Sequence, residues 1–137
     1  MSIDINVVAI ISAAVAAMVV GWLWFGLLFR KPWTRLAGLD ERPAPKSAVI
    51  YPIALVVNLI GAFVLNYVAS ASQIANQNSL LEAALYSAVF LWVAFAAGRA
   101  LITTVFEARS VKLFLINTGH DLVVMLVMAV VIGLVTV

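Results

Sequence analysis

The chain has no cysteine and a single histidine, and only 10% of its 137 residues are charged. Without cysteine there is no disulfide framework, thiolate metal site or cysteine nucleophile. One histidine leaves any metal centre short of the usual three or four ligands, so no metal and no cofactor is expected. Soluble domains carry about 25% charged residues. The scarcity of charge here, beside 66% hydrophobic residues, excludes that class. A net charge of +2 is too small to nominate nucleic acid as a partner. The solvent this composition suits is the lipid bilayer.

Four apolar blocks fill the chain, at about 5–29, 48–70, 80–106 and 113–136. Each has at least about 20 residues, enough to cross a hydrocarbon core of about 30 Å as a helix that satisfies its own backbone. Barrel strands would be about 10 residues long and would alternate, and these blocks do neither. The first block opens "MSIDINVVAI", with Asp4 and no cation, where a signal peptide would begin with basic residues. It is read as an uncleaved helix.

The cations set the expected orientation. Arg30, Lys31, Arg35, Arg42 and Lys46 fall in the connection 30–47, and Arg109 and Lys112 in the connection 107–112. Arg99 lies just inside the third block. The positive-inside rule makes both connections cytoplasmic. Both termini and the loop "ASQIANQNS" are then extracytoplasmic. The expected fold is all-α: one integral membrane domain over residues 1–137, a four-transmembrane-helix bundle of two antiparallel hairpins. Trp33 is expected at headgroup level with Trp22 and Trp24 slightly deeper, and Pro52 in the first turn or so of the second helix.

The stretch "FLINTGHDLVV" sets the histidine and an aspartate into the fourth block. Asn117, His120 and Asp121 share one face of a helix. An ionised aspartate facing lipid costs several kcal/mol, so that face is expected to look into the bundle or a wet cavity. Arg99 lies at matching depth in the third helix, on one face with Trp92, Thr103 and Phe106. Arg99 and Asp121 are therefore expected to form an ion pair with Thr103, Asn117 and His120 nearby. One reading is structural, the pair fixing the register of the hairpin. The other makes the cluster a substrate or proton path through His120.

Secondary polar candidates are Asn58 and Asn66, read first as hydrogen-bonding across to another helix, and Glu82, placed where a helix N-terminus favours a carboxylate. Glu107 reads as a surface partner for the basic loop. Small residues four apart in "SAAVAAMVVG" suit close helix packing, within the bundle or between copies. "GWLWFGLLF" (Gly21 to Phe29) and "GRALITTVF" (Gly98 to Phe106) share a Gly and a Phe at equal spacing, a faint echo of two repeated hairpins.

The runs "GWLWFGLLFRKPW", "LAGL" and "FEARSVKLFLINTGHDLVVMLVMAVVIG" resemble the bacterial integral-membrane family catalogued as domain of unknown function 1761. The resemblance spans nearly the whole chain. It implies a multi-pass protein of the bacterial inner membrane and carries over no activity and no functional residue. Three functions stay open. The first is a non-enzymatic subunit or scaffold acting through helix packing, as a homo-oligomer or with a membrane-protein partner. The second is a small oligomeric transporter or channel using Arg99, His120 and Asp121. The third is a four-helix membrane enzyme, which lacks a nucleophile–base pair at convincing spacing.

Overall fold

The computed structural model describes residue 3, residues 5–42 and residues 46–135. Asp4 and the expected end of the fourth helix at residue 136 lie outside the described residues. Five helices follow one another: α1 (Val7–Leu28), α2 (Arg30–Leu36), α3 (Ser47–Asn76), α4 (Leu80–Phe106) and α5 (Val111–Leu134). There is no strand among the described residues. Four of the helices, α1, α3, α4 and α5, are long and apolar enough to cross a membrane, which makes this a multi-pass membrane protein.

The starts of three spans are written in short polar side chains. Asn6, Ser79 and Ser110 each accept a hydrogen bond from the backbone N–H three residues on, the cap that relieves an orphan donor of the first turn. One end differs from expectation. "ASQIANQ" does not loop out. It continues α3 to Asn76, whose side chain donates to the Ser72 carbonyl, and the chain turns only at Gln77, with φ 54°. Nothing before Gln77 breaks a helix, and polar residues at a membrane surface can stay helical. Pro52 is the sixth residue of α3, deeper than the first turn, where its missing N–H leaves one carbonyl of the preceding turn without its usual donor.

The four spans run alternately up and down and form a ring in chain order. α1 and α4 each pack along both α3 and α5, while α3 meets α5 across the ring only lightly. In lipid there is no water to drive apolar faces together, so close van der Waals contact between small residues does that work. The tight contacts lie in the half of the bundle that holds the two chain ends. Ala13 and Ala17 of α1, Ala62 and Ala69 of α3, and Ala84 and Ala88 of α4 are buried there. So the small residues of "SAAVAAMVVG" pack inside the bundle at Ala13 and Ala17, with Ser12 and Ala16 left half-buried. Gly133 shows how close the helices come: a Cβ added there would lie 2.6 Å from the Leu81 Cα.

The other half, which carries the basic connections, is loose. α3 has no buried residue from Ser47 through Ile60, and α1 none after Ala17. In this half two spans also change their winding, α1 over Trp24–Leu28 and α4 over Trp92–Ala97, to a π-helix. The Phe29 N–H reaches back five residues to the Trp24 carbonyl, and the Gly98 N–H to that of Val93. A Cβ at Gly98 would sit 2.9 Å from the Val93 oxygen, so this wider turn needs its glycine.

Candidate functional site

Each π segment begins with a tryptophan, and each tryptophan is fastened to α5. The Trp24 indole N–H donates to the Ile116 carbonyl at 3.0 Å, and that of Trp92 to the Thr118 carbonyl at 2.8 Å. The two acceptors lie on opposite sides of α5, being two residues apart on a helix of about 3.6 residues per turn. α5 is thus held between α1 and α4 just where His120 and Asp121 leave it. A buried indole needs such an acceptor. The repeated feature of the two hairpins is therefore Trp24 and Trp92 at the start of their π segments, in a different register from the Gly and Phe echo.

The π segment of α4 also undoes the expected ion pair. On a regular helix Trp92 and Arg99, seven residues apart, would share a face. The wider turn adds roughly one residue and carries Arg99 about 100° round the axis. Trp92 points into α5, so Arg99 points out. Arg99 is exposed and forms no ion pair among the described residues. The expected cluster separates into three places. Thr103 and Asn117 line a small polar pocket with Thr104, Arg109 and Ser110, between α4 and α5. His120 and Asp121 remain together. Arg99 belongs to neither.

His120 and Asp121 form their own pair: Nδ1 lies 3.2 Å from Oδ1 of Asp121. A carboxylate can only accept, so Nδ1 carries the proton and donates, and in the neutral ring Nε2 presents a lone pair. Nε2 is buried and has no hydrogen-bond partner. It faces Gly21 of α1, where an added Cβ would lie 3.5 Å away. The Phe25 ring stands 4.6 Å from the imidazole and 4.4 Å from the Trp33 ring of α2.

Two grooves flank α3, and each is lined by one member of this pair. The groove between α1 and α3, about 390 Å³, has His120 at its floor and Trp22, Phe25, Trp33, Tyr51 and Ala54 along its walls. The groove between α3 and α4, about 370 Å³, is lined by Asp121 and Trp92. Asn58 borders both, and its amide donates only to the Met18 sulfur, at 3.4 Å. Outside the membrane span, a basin of about 620 Å³ is rimmed by Arg30, Lys31, Thr34, Arg35 and Asp40.

The remaining candidates lie outside both grooves. Asn66, 1% exposed, accepts the Asn6 N–H at 3.0 Å, while the Asn6 amide donates to the Val135 carbonyl at 3.0 Å. These bonds tie α1 to α3 and to the end of α5, which is the cross-helix role read for it. Glu82 is exposed in the first turn of α4, behind the Ser79 cap. Glu107 pairs with Arg109 at 3.3 Å on the surface. Among the described residues no three His, Asp or Glu converge as a metal site would require.

The sequence reading missed Trp24, Trp92, Phe25 and Trp33 as parts of the site. Tryptophans near a basic loop suggest headgroup anchors. The one available signal is a tryptophan inside each of the first and third apolar blocks, with a glycine two residues after Trp24 and six after Trp92.

A family model described as protein of unknown function (DUF1761) matches residues 8–133. No curated protein and no solved structure matches the chain.

Proposed function

The chain belongs to the DUF1761 family of proteins of unknown function, and we propose that it is a small carrier of the bacterial inner membrane that takes an amphipathic molecule into the groove above His120. One observation carries the reading: Nε2 of His120, oriented by Asp121, is buried at the groove floor without a partner. An unmet polar atom in a low-dielectric setting costs about 1–3 kcal/mol, and a bound donor removes that cost. A protein working through packing alone would gain nothing from burying such an atom without a partner. The basic connections lie in the cytoplasm on this reading, by the positive-inside rule. The grooves then open in the cytoplasmic half, and the alanine-packed half closes the other side. Among the described residues no serine or threonine lines the groove, and the chain has no cysteine, so an enzyme built on one of those nucleophiles has no support there.

The subunit reading keeps one observation in its favour. Val56, Val57 and Ile60 of α3 are exposed beside the grooves, and a helix of another chain would cover them. Native mass spectrometry of the protein released from bilayer discs separates the two. The expected spectrum shows a small-molecule adduct on the wild type that Ala54→Trp, which fills the groove, removes without lowering the melting temperature. An adduct indifferent to Ala54→Trp, or a bare multimer with no adduct, would overturn the carrier reading.

A further inference from the structure

We infer that the molecule held in the α1–α3 groove is an anionic phospholipid, its hydrocarbon chain against Trp22, Phe25 and Ala54 and its headgroup on the basic face of α2. The inference rests on the carrier reading and adds the chemistry of the ligand.

α2 is the element that joins the two requirements. It follows α1 immediately, at the mouth of the groove, and it is two-faced. Trp33 lines the groove, while Arg30, Lys31, Thr34 and Arg35 line the basin on its other side. On a helix Arg30, Thr34, Lys31 and Arg35 fall within one arc, with Trp33 and Leu36 opposite. A short helix with that division lies in the membrane interface, its apolar face in the acyl region and its cations among headgroups. None of the three cations is in an ion pair among the described residues. Asp40 is the one acid on the basin's rim, so the rim stays positive by two charges.

The groove supplies the other half. Its lining is aromatic and aliphatic apart from Asn58, His120 and the Tyr51 hydroxyl. Its volume, about 390 Å³, falls in the range of roughly 300–1,000 Å³ usual for small-molecule sites. It opens sideways past Ile50 and Tyr51, both exposed, toward the place where lipid chains lie. An apolar slot with a cationic ledge at the interface matches an amphiphile with an anionic head. It does not match a hydrophilic solute, which would leave the slot unsatisfied, or a zwitterionic lipid, which would gain little from the ledge.

The test titrates the purified full-length protein in a nonionic detergent with phosphatidylglycerol and, separately, with phosphatidylcholine, counting bound lipid by native mass spectrometry. Phosphatidylglycerol is expected to bind one per chain and at least about tenfold more tightly, since each cation near an anionic headgroup strengthens binding by about fivefold. In Arg30→Gln/Lys31→Gln/Arg35→Gln the preference is expected to fall below about twofold, with the chain contact unchanged. In Ala54→Trp both lipids should weaken together; Ala54→Leu, a smaller plug, should show the same effect to a lesser degree. Equal affinity of the wild type for the two lipids overturns the inference. So does a preference that survives the triple substitution, or phosphatidylglycerol binding that neither plug disturbs. An adduct sensitive to Ala54→Trp, found on a protein with no lipid preference, sinks the phospholipid and leaves the carrier standing. Insensitivity to Ala54→Trp in both experiments removes both.

Discussion

Gly133→Leu is expected to abolish the fold or to lower its stability by more than about 3 kcal/mol. The reason is local and steric. A Cβ at 133 would come 2.6 Å from the Cα of Leu81 and 2.8 Å from its Cβ. A backbone atom cannot turn aside as a side-chain tip can, so α4 and α5 must part along their whole contact. Overpacking by a few methylenes into a core costs about 1–3 kcal/mol, and here the added side chain meets a helix axis. Gly133→Ala is expected to fall within that lower range. Gly61→Ala is the control: its added Cβ would lie 3.8 Å from the end of the flexible Met128 side chain, an ordinary contact. Circular dichroism through a denaturing-detergent titration reads all three. A Gly133→Leu protein as stable as Gly61→Ala would mean that α4 and α5 do not cross as described.

The second large effect divides the two membrane asparagines. Asn66→Ala is expected to cost about 2–3 kcal/mol, because it strips the part-buried Asn6 N–H of its acceptor and leaves a void beside Ser70. Asn58→Ala is expected to cost less than about 1 kcal/mol, since its amide meets only a thioether sulfur, a weak acceptor. The same unfolding titration checks both. Equal losses would erase the distinction between a packed structural half and an open functional half.

The sequence made the four spans legible because length and apolarity in lipid leave a helix as the single economical form. Asn6, Ser79 and Ser110 announce their caps by residue type. The role of Asn66 was legible for the same reason: a buried amide in a membrane must find a partner on another helix. The Arg99–Asp121 pair was not. Matching depth in an antiparallel hairpin is a sound argument about height. It says nothing of azimuth once a helix changes pitch. The π segment that turns Arg99 outward leaves almost no local mark except Gly98, whose missing Cβ admits the Val93 carbonyl. His120 and Asp121 were singled out, and they stand paired, His120 mostly covered and the Asp121 side chain half-exposed. Adjacency alone did not reveal that Asp121 takes the Nδ1 side of the ring and leaves the other nitrogen buried beside Gly21 without a partner. The extension of α3 to Asn76 was missed because polar sequence was read as loop, although Ser, Gln and Asn break no helix by themselves.

Asp121 orients His120 so that Nε2 is turned to Gly21, at the lining of the groove between α1 and α3. A single histidine makes this directly observable. Solid-state nuclear magnetic resonance of the protein with nitrogen-15 histidine, in bilayers, gives one pair of ring signals to assign. The expected result is a proton on Nδ1 of the neutral ring, lost as the preferred site in Asp121→Ala, and an Nε2 signal that moves when Ala54→Trp fills the groove while Nδ1 stays. A bare Nδ1 with the proton on Nε2, or an Nε2 signal blind to Ala54→Trp, would contradict it.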